Sequence, residues 1–302
     1  MQVLLLGGSG QLGTELRAAT LPPGVALAAP TRELVDLRDM AALRRVVAAE
    51  PWRVIIDAAG YTHVDRAERE EELAFAVNAE GAACLAAEAA RRSIPFICIS
   101  TDYVFDGRKG APYREDDAAA PLNAYGRSKL AAERRVAAAN PRHVIIRSAW
   151  LHGPHGANFV RTILRLSQRP APLRVVDDQR GSPTSARDLA QACLEIALRA
   201  AREPDRGDYG LYHFAGAGDA TWFEVAQAVI EAAASRGGPA AQVEPISSAD
   251  YGSAATRPAD SRLDCSAIAA AFGLTPRPWR LALGETVENL MAQGLPARHA
   301  SR

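Results

Sequence analysis

Residues 2–13 read QVLLLGGSGQLG, an apolar run that enters a cluster of glycines and continues into a helical pattern. The first five of these residues have the composition of a short buried strand. Strand, glycines and helix in this order allow a tight turn and a close approach of the backbone to an anion. The helix N-terminus then supplies N–H groups and a favourable dipole. We therefore predict a pyrophosphate-binding loop that includes Gly7, Gly10, Gln11, Leu12 and Gly13.

The first half of the chain repeats this alternation of strand and helix. Short apolar runs between helical patterns are typical of parallel strands buried on both faces. The right-handed βαβ rule then predicts an α/β fold with a doubly wound parallel sheet of the Rossmann type. The further strands are expected at 25–29, 54–57, 96–100 and 143–148, and the helices at 14–19, 40–49, 71–92 and 124–138.

After residue 150 the alternation loosens, although helices are expected at 158–167, 186–200 and 222–234, and short strands at 173–176 and 211–214. We predict a dinucleotide-binding domain over 1–150, to which the chain returns around 184–214. Residues 151–183 and 215–302 are expected to form a smaller C-terminal lobe that binds the substrate.

Composition limits the partners. The 302 residues contain 35 basic and 35 acidic side chains, so no overall charge attracts nucleic acid or a membrane surface. The N-terminal apolar run is too short for a membrane span, and no longer stretch is expected to be apolar enough to span a membrane. The four cysteines form no CxxC pair, which indicates reduced thiols in the cytoplasm.

A YxxxK pair, Tyr125 and Lys129, opens the predicted helix at 124–138. The i,i+4 spacing places both side chains on one helix face. A nearby ammonium stabilises a phenolate, so we expect Lys129 to lower the pKa of Tyr125 toward neutrality. Thr101 follows a predicted strand at the carboxyl edge of the sheet, where its hydroxyl can contact both the phenol and a substrate carbonyl.

The second strand of such a fold ends near the 2′ position of a bound dinucleotide. Arg32 lies at about the right distance, and an arginine there favours the 2′-phosphate of NADPH. Glu33 stands beside it, and a carboxylate favours NADH, which stays an alternative.

Taken together, the motifs of this chain resemble the extended short-chain dehydrogenase/reductase family. Within that family the resemblance is to enzymes that reduce a 4-keto-6-deoxy sugar linked to dTDP, in the synthesis of dTDP-L-rhamnose. Beyond the glycine loop, the matching stretches are DAAGYTHVDRAE at 57–68, VNAEG at 77–81, STDYVF at 100–105, PLNAYGRSKLAAE at 121–133, RSAW at 147–150, DDQRGSPTSARDLA at 177–190 and TRPADSRLD at 256–264.

The resemblance implies a role for each matching residue. Tyr125 would donate the proton, Lys129 would bind the nicotinamide ribose, and Thr101 would orient the carbonyl. The remaining cofactor contacts would be Asp36 and Leu37 near the adenine, Ala58, Ala59, Gly60, Tyr61 and Thr62 along the ribose and phosphates, and Ile99 beneath the nicotinamide. The nucleotide sugar would contact Thr101, Asp102, Trp150 and Arg257, the last as a diphosphate ligand.

Several alternatives stay open at this point. Another sugar-nucleotide 4-ketoreductase, an epimerase or a dehydratase would use the same fold, and the family also contains non-catalytic regulatory subunits that bind NADP. Relatives imply a homodimer and Mg²⁺ at a subunit interface, but no carboxylate cluster in the sequence indicates such a site. His152 and His155 lie in a Gly/Pro turn without an obvious third ligand, so we predict no metal site. By similarity Asn78 would support the sheet or an active-site water, or it would simply bond within its own helix.

Overall fold

The computed structural model describes residues 1–294. The strands are β1 Gln2–Leu6, β2 Ala26–Ala28, β3 Val54–Asp57, β4 Phe96–Thr101, β5 His143–Ser148, β6 Leu151–His152, β7 Leu173–Val176, β8 Arg180–Gly181, β9 Thr184–Ser185, β10 Gly210–His213, β11 Ala220–Thr221 and β12 Val243–Ile246. The α-helices are α1 Gln11–Ala18, α2 Met40–Ala49, α3 Val64–Ala67, α4 Glu71–Phe75, α5 Ala82–Ala90, α6 Ala124–Ala139, α7 Phe159–Leu166, α8 Ala186–Arg202, α9 Trp222–Ala234, α10 Ser248–Tyr251, α11 Ser266–Phe272 and α12 Trp279–Ala292.

Six strands form the central sheet in the order β10-β5-β4-β3-β1-β2, and every neighbouring pair is parallel. Side chains alternate across the sheet, so Val3 and Leu5 face one core and Leu4 and Leu6 face the other. Helices α1 and α8 cover the first face, and α2, α5 and α6 cover the second. The predicted doubly wound α/β fold is therefore confirmed.

The helix expected over 71–92 is interrupted. Between α4 and α5 the chain makes a π-helical turn at Ala76–Gly81. A Cβ on Gly81 would lie 2.6 Å from the Leu37 carbonyl oxygen, so only glycine lets this turn approach the loop after β2. The turn also buries Asn78 against the backbone of Tyr61. A π turn has no sequence periodicity of its own, which explains why it was missed.

The stretch Glu71–Ala90 is long and apolar enough to span a membrane, with a mean hydropathy of 1.2. The expectation that no segment reaches this composition is therefore wrong. In the structure this stretch packs against the sheet and α6 and is 56% buried within the protein.

A second lobe stands over the carboxyl edge of the sheet. Its separate core joins α7, α9 and α12 with the parallel strands β7 and β12, and it contains Leu164, Val229, Leu283 and Val287. Strand β10 pairs with β5 and α8 packs against α1, so both belong to the first lobe, which is built on the central sheet. Helix α11 packs against β10, and Ile268 enters the core of the first lobe. The domain boundaries given above stay a prediction.

Candidate active site

A cleft of about 1340 Å³ separates the carboxyl edge of the sheet from the second lobe. Its volume exceeds that of most small-molecule sites, as a dinucleotide together with a second ligand requires. Of the residues predicted from sequence to bind a ligand, all but Gly13 line it. They are Gly7, Gly10, Gln11, Leu12, Arg32, Asp36, Leu37, Ala58, Ala59, Gly60, Tyr61, Thr62, Ile99, Thr101, Asp102, Tyr125, Lys129, Trp150 and Arg257.

The glycine loop leaves room that side chains would fill. Gly7 has φ +79°, and a Cβ there would lie 2.5 Å from the Ala59 nitrogen. A Cβ on Gly13 would lie 2.0 Å from the Gly7 carbonyl oxygen, so Gly13 serves the contact between α1 and β1 rather than the cleft wall. No side chain caps α1, which leaves its first N–H groups directed at the cleft. This cradle fits the pyrophosphate of a dinucleotide.

Arg32 lies on the rim of the cleft with 70% of its side chain exposed. Its guanidinium stands 3.7 Å from Asp36, which is held more tightly by Arg38 through two hydrogen bonds of 3.0 and 2.7 Å. The Arg38 bonds hold the pKa of Asp36 well below its usual range. Arg32 is therefore a cation with only a loose partner at the position expected for a 2′-phosphate.

Helix α6 presents the catalytic pair. Asn123 caps it by accepting a 2.8 Å hydrogen bond from the Gly126 N–H, which fixes the first turn that carries Tyr125. Lys129 is buried one turn later, and its ammonium donates a 2.6 Å hydrogen bond to the Ile99 carbonyl of β4. That bond ties α6 to the strand that ends in Thr101.

A small network supports this pair from behind. Asn78 accepts from the Tyr61 N–H at 2.7 Å and donates to the Tyr61 carbonyl and to Ser128 Oγ, at 3.1 and 2.9 Å. Ser128 Oγ in turn donates to the Tyr125 carbonyl at 2.7 Å. Of the two interpretations left open for Asn78, the structure favours support of the active site, because these bonds reach well beyond its own helix.

Burial raises the pKa of the Tyr125 phenol, and Asp102 adds to the rise. The Lys129 ammonium and the Thr101 hydroxyl lower that pKa, but by less than burial raises it. Lys129 thus lowers the pKa of Tyr125 as expected, but burial outweighs this contribution and the net shift is upward. The phenol holds its proton at neutral pH, as an unperturbed tyrosine with a pKa of about 10 also does.

Asp102 adjoins Thr101 and is 2% exposed. Its Oδ1 accepts a 3.0 Å hydrogen bond from the Thr101 hydroxyl. Burial raises the pKa of this carboxyl to about 7. The Thr101 hydroxyl also accepts from the Tyr103 N–H at 3.2 Å, so its orientation is fixed from both sides.

The opposite wall of the cleft carries a stacked indole pair. Trp150 has φ +46°, a conformation that non-glycine residues rarely adopt. Its ring lies 3.6 Å from that of Trp222, with 5° between the planes, and it rests on Gly181, where a Cβ would come within 2.4 Å of the indole. These contacts hold Trp150 in its strained position.

Comparisons with known proteins identify the family of this chain. A family model described as the RmlD substrate binding domain matches residues 1–292. A dTDP-4-dehydrorhamnose reductase from Sinorhizobium fredii is 38% identical over 299 residues, which cover 98% of this chain and all of that protein. The chain belongs to the dTDP-4-dehydrorhamnose reductase family. The resemblance seen in the motifs is thereby confirmed.

Solved structures of dTDP-4-dehydrorhamnose reductases have the same fold. The protein from Clostridium acetobutylicum superposes with a TM-score of 0.89 at 33% identity, over 96% of this chain and 100% of that one. A Bacillus anthracis dTDP-4-dehydrorhamnose reductase in complex with NADP gives a TM-score of 0.87, also at 33% identity, over 94% and 98% of the two chains.

Arg257 lines the cleft, as expected, and has an anionic partner that the sequence did not indicate. Its guanidinium is held by the Asp65 carboxylate through hydrogen bonds of 3.1 and 2.7 Å. Asp65 also accepts from the Ala255 N–H at 3.0 Å. Arg257 thus lines the cleft but already has an anionic partner, and it ties the segment after α10 to α3.

Sequence reasoning missed several cleft residues. Trp222 directly follows Thr221, which caps α9, and this position is visible in the sequence. Only the fold shows that its indole ring stacks on that of Trp150. Asn158 and Gln11 are joined by a 3.0 Å hydrogen bond that links the second lobe to the glycine loop. Tyr103 meets Tyr125 edge to face, with ring centroids 5.9 Å apart.

His152 and His155, the two histidines of the Gly/Pro turn, do not line the cleft. His152 is buried, with Nδ1 3.1 Å from Thr286 Oγ1, and burial lowers its pKa to about 4. His155 lies 3.7 Å from Glu15. Within residues 1–294 no group of three or more His, Cys, Asp or Glu side chains is arranged to hold a metal ion.

Proposed function

We propose that this protein reduces dTDP-4-dehydro-β-L-rhamnose to dTDP-L-rhamnose with NADPH. The observation that carries the proposal is the placement of Tyr125, Lys129 and Thr101 together on one wall of the cleft that begins at the glycine loop. The relatives named above are dTDP-4-dehydrorhamnose reductases, and one of their solved structures is a complex with NADP.

Each residue of the set has a defined task in carbonyl reduction. NADPH, when bound, supplies the hydride that reaches C4 of the sugar. Tyr125 donates its phenolic proton to the carbonyl oxygen, so that the ketone becomes a secondary alcohol. Lys129 stabilises the resulting phenolate and holds the ribose, while Thr101 orients the carbonyl toward Tyr125. Lys129 and the Thr101 hydroxyl oppose the rise that burial causes in the pKa of Tyr125, and so favour release of its proton.

The nucleotide sugar would lie between the two lobes. We assign its sugar to the neighbourhood of Thr101 and Asp102, because both adjoin the proton donor. Trp150, stacked on Trp222, offers a flat apolar wall from the other side. We assign the diphosphate to Arg257. Its guanidinium is already bonded to Asp65, so it would divide its hydrogen bonds between that carboxylate and the diphosphate.

Cofactor choice depends on the rim of the cleft. We assign Arg32 to the 2′-phosphate of NADPH, because its only ion-pair partner in the described chain is the distant Asp36 carboxylate. We assign the other cofactor contacts, from the glycine loop to Ile99, as the resemblance to the family implies. NADH would lack the Arg32 contact and is expected to serve less well.

The experiment that tests the function is an assay of NADPH oxidation against a small panel of dTDP- and UDP-linked 4-keto sugars. We expect consumption of NADPH with dTDP-4-keto-6-deoxy-L-sugars, and purified protein that carries little bound cofactor. Turnover of the sugar without net loss of NADPH would favour an epimerase. A protein that binds NADPH but reduces no member of the panel would favour a regulatory subunit.

We also propose that the protein is located in the cytoplasm and forms a homodimer. All four cysteines are free thiols, which suits the reducing cytoplasm, where NADPH and nucleotide sugars are available. A homodimer is expected by similarity, and light scattering of the purified protein would test it. We assign no Mg²⁺ to the reaction.

A further inference from the structure

A buried ion pair lies directly behind the catalytic residues. Glu133 of α6 and Arg147 of β5 are 7% and 4% exposed. Arg147 donates two hydrogen bonds to the carboxylate, from Nε to Oε1 at 2.8 Å and from Nη2 to Oε2 at 2.7 Å. The pair has no water-exposed side, so its bidentate geometry is maintained by the protein alone.

The surroundings fix both partners. Ser100 Oγ donates a further hydrogen bond to Glu133 Oε1. On the other side, Arg147 lies over the ring of Phe105, 4.9 Å from its centroid, and its Nη1 lies 3.4 Å from His213 Nε2. His213 Nδ1 lies 3.1 Å from the Tyr113 carbonyl, so the imidazole donates there and turns its lone pair to the guanidinium.

His213 therefore acts as a neutral acceptor. Burial and the Arg147 charge lower its pKa to about 3, so it carries no charge in the working range. The Glu133–Arg147 ion pair is the centre of the network, and a second carboxylate adjoins it, because Glu115 accepts a 2.8 Å hydrogen bond from the His213 backbone N–H. The network joins α6 to β4, β5 and β10, the strands that form one half of the central sheet.

Its position relates it to the reaction. Tyr125, Lys129 and Glu133 follow one another at i, i+4 and i+8 on the same face of α6. Ser100, which bonds Glu133, directly precedes Thr101 on β4. Lys129 already binds the Ile99 carbonyl of that strand. Glu133 and Ser100 therefore form a second tie, one turn further along the helix.

A buried ion pair is a poor source of stability, because desolvation offsets most of the attraction between the charges. Such a pair does resist sliding, since its hydrogen bonds are satisfied at only one register. We infer that Glu133 and Arg147 are positioning residues that set the register of α6 against β4, and so place Tyr125 at the right distance from Thr101. This inference rests on the proposed function.

The test replaces the pair without leaving a charge buried. The double variant Glu133→Met/Arg147→Met keeps similar volume and avoids the misfolding expected when only one charge is removed. Ser100→Ala is a milder variant that removes one hydrogen bond and leaves the pair intact. The matched control is Glu88→Gln on α5, because the Glu88 carboxylate is also 7% exposed but bonds surface arginines away from the cleft.

For the double variant we expect a melting temperature close to that of the parent and NADPH binding of similar strength. The value of kcat should fall roughly ten- to a hundredfold, because small misplacements of reacting groups have effects of this size. With NADPH dideuterated at C4, the isotope effect on kcat should rise as hydride transfer becomes slower than the other steps. Ser100→Ala should show the same changes more weakly, and Glu88→Gln should show none.

The pH profile gives a second readout. Loss of the Thr101 contact removes one of the influences that lower the pKa of Tyr125, while Lys129 and Asp102 remain. The alkaline limb of kcat should therefore move to higher pH. A double variant with parental kcat, isotope effect and pH profile would reduce the pair to a structural role and overturn the inference. A parent enzyme that reduces no sugar would instead contradict the proposed function.

Discussion

Replacement of Tyr125 by phenylalanine removes the proposed proton donor and little else. The ring keeps its edge-to-face contact with Tyr103, whose centroid lies 5.9 Å away, and the backbone bond from Ser128 is unaffected. General acid catalysis contributes about 10²–10⁴-fold. The barrier should therefore rise by roughly 2.7–5.4 kcal/mol, since each tenfold change corresponds to about 1.36 kcal/mol.

The assay follows NADPH absorbance at saturating sugar, with cofactor binding measured separately by fluorescence. We expect kcat to fall by about 10²–10⁴-fold and the Kd for NADPH to stay near the parental value. Tyr103→Phe is the matched control, because it removes a buried phenol from the adjoining ring and should cost far less turnover. Near-parental turnover in Tyr125→Phe, or a larger loss in Tyr103→Phe, would refute the assignment of the donor.

Four further changes follow from the geometry. Lys129→Met should lower kcat/KM by about 10–100-fold, the value of a charge-assisted hydrogen bond, and should weaken NADPH binding in a fluorescence titration. Arg32→Ala should raise KM for NADPH about tenfold with little effect on KM for NADH; equal effects would remove Arg32 from the 2′-phosphate site. Gly13→Ala should abolish NADPH binding or folding, because its Cβ would lie 2.0 Å from a backbone oxygen, whereas Gly10→Ala, with a nearest contact of 3.4 Å, should be milder in the same titration. Asp102→Asn should flatten the pH dependence of stability: the folded carboxyl keeps its proton up to about pH 7 and the unfolded one only up to about 3.8, so the parental free energy of unfolding should fall as pH rises through this interval, as urea titrations at several pH values would show.

Much of the fold could be predicted because its signals are local. Helices α2 and α9 begin and end where the apolar periodicity placed them, and β3 and β5 match their apolar runs residue for residue. The Ala76–Gly81 π turn could not be predicted, because its cause is a close contact with a loop some forty residues earlier in the chain.

The same distinction between local patterns and long-range contacts applies to the candidate site. The glycine loop and the Tyr125/Lys129 spacing are local patterns, and the fold brings both to one cleft. The pairing of Arg257 with Asp65 depends on residues that lie far apart in sequence, so the sequence alone gave no sign of it. The effect of Lys129 on the pKa of Tyr125 could be predicted from their spacing, but the larger opposing effect of burial could not, because burial is a property of the assembled fold.

Hydride tracing tests the central claim most directly. The protein is incubated with a dTDP-4-keto-6-deoxy-L-sugar and NADPH dideuterated at C4 of its nicotinamide, and the product is examined by mass spectrometry and NMR. The account predicts one deuterium at C4 of the sugar, none elsewhere, and one NADPH consumed for each product molecule. An altered sugar without deuterium and without net loss of NADPH would contradict it.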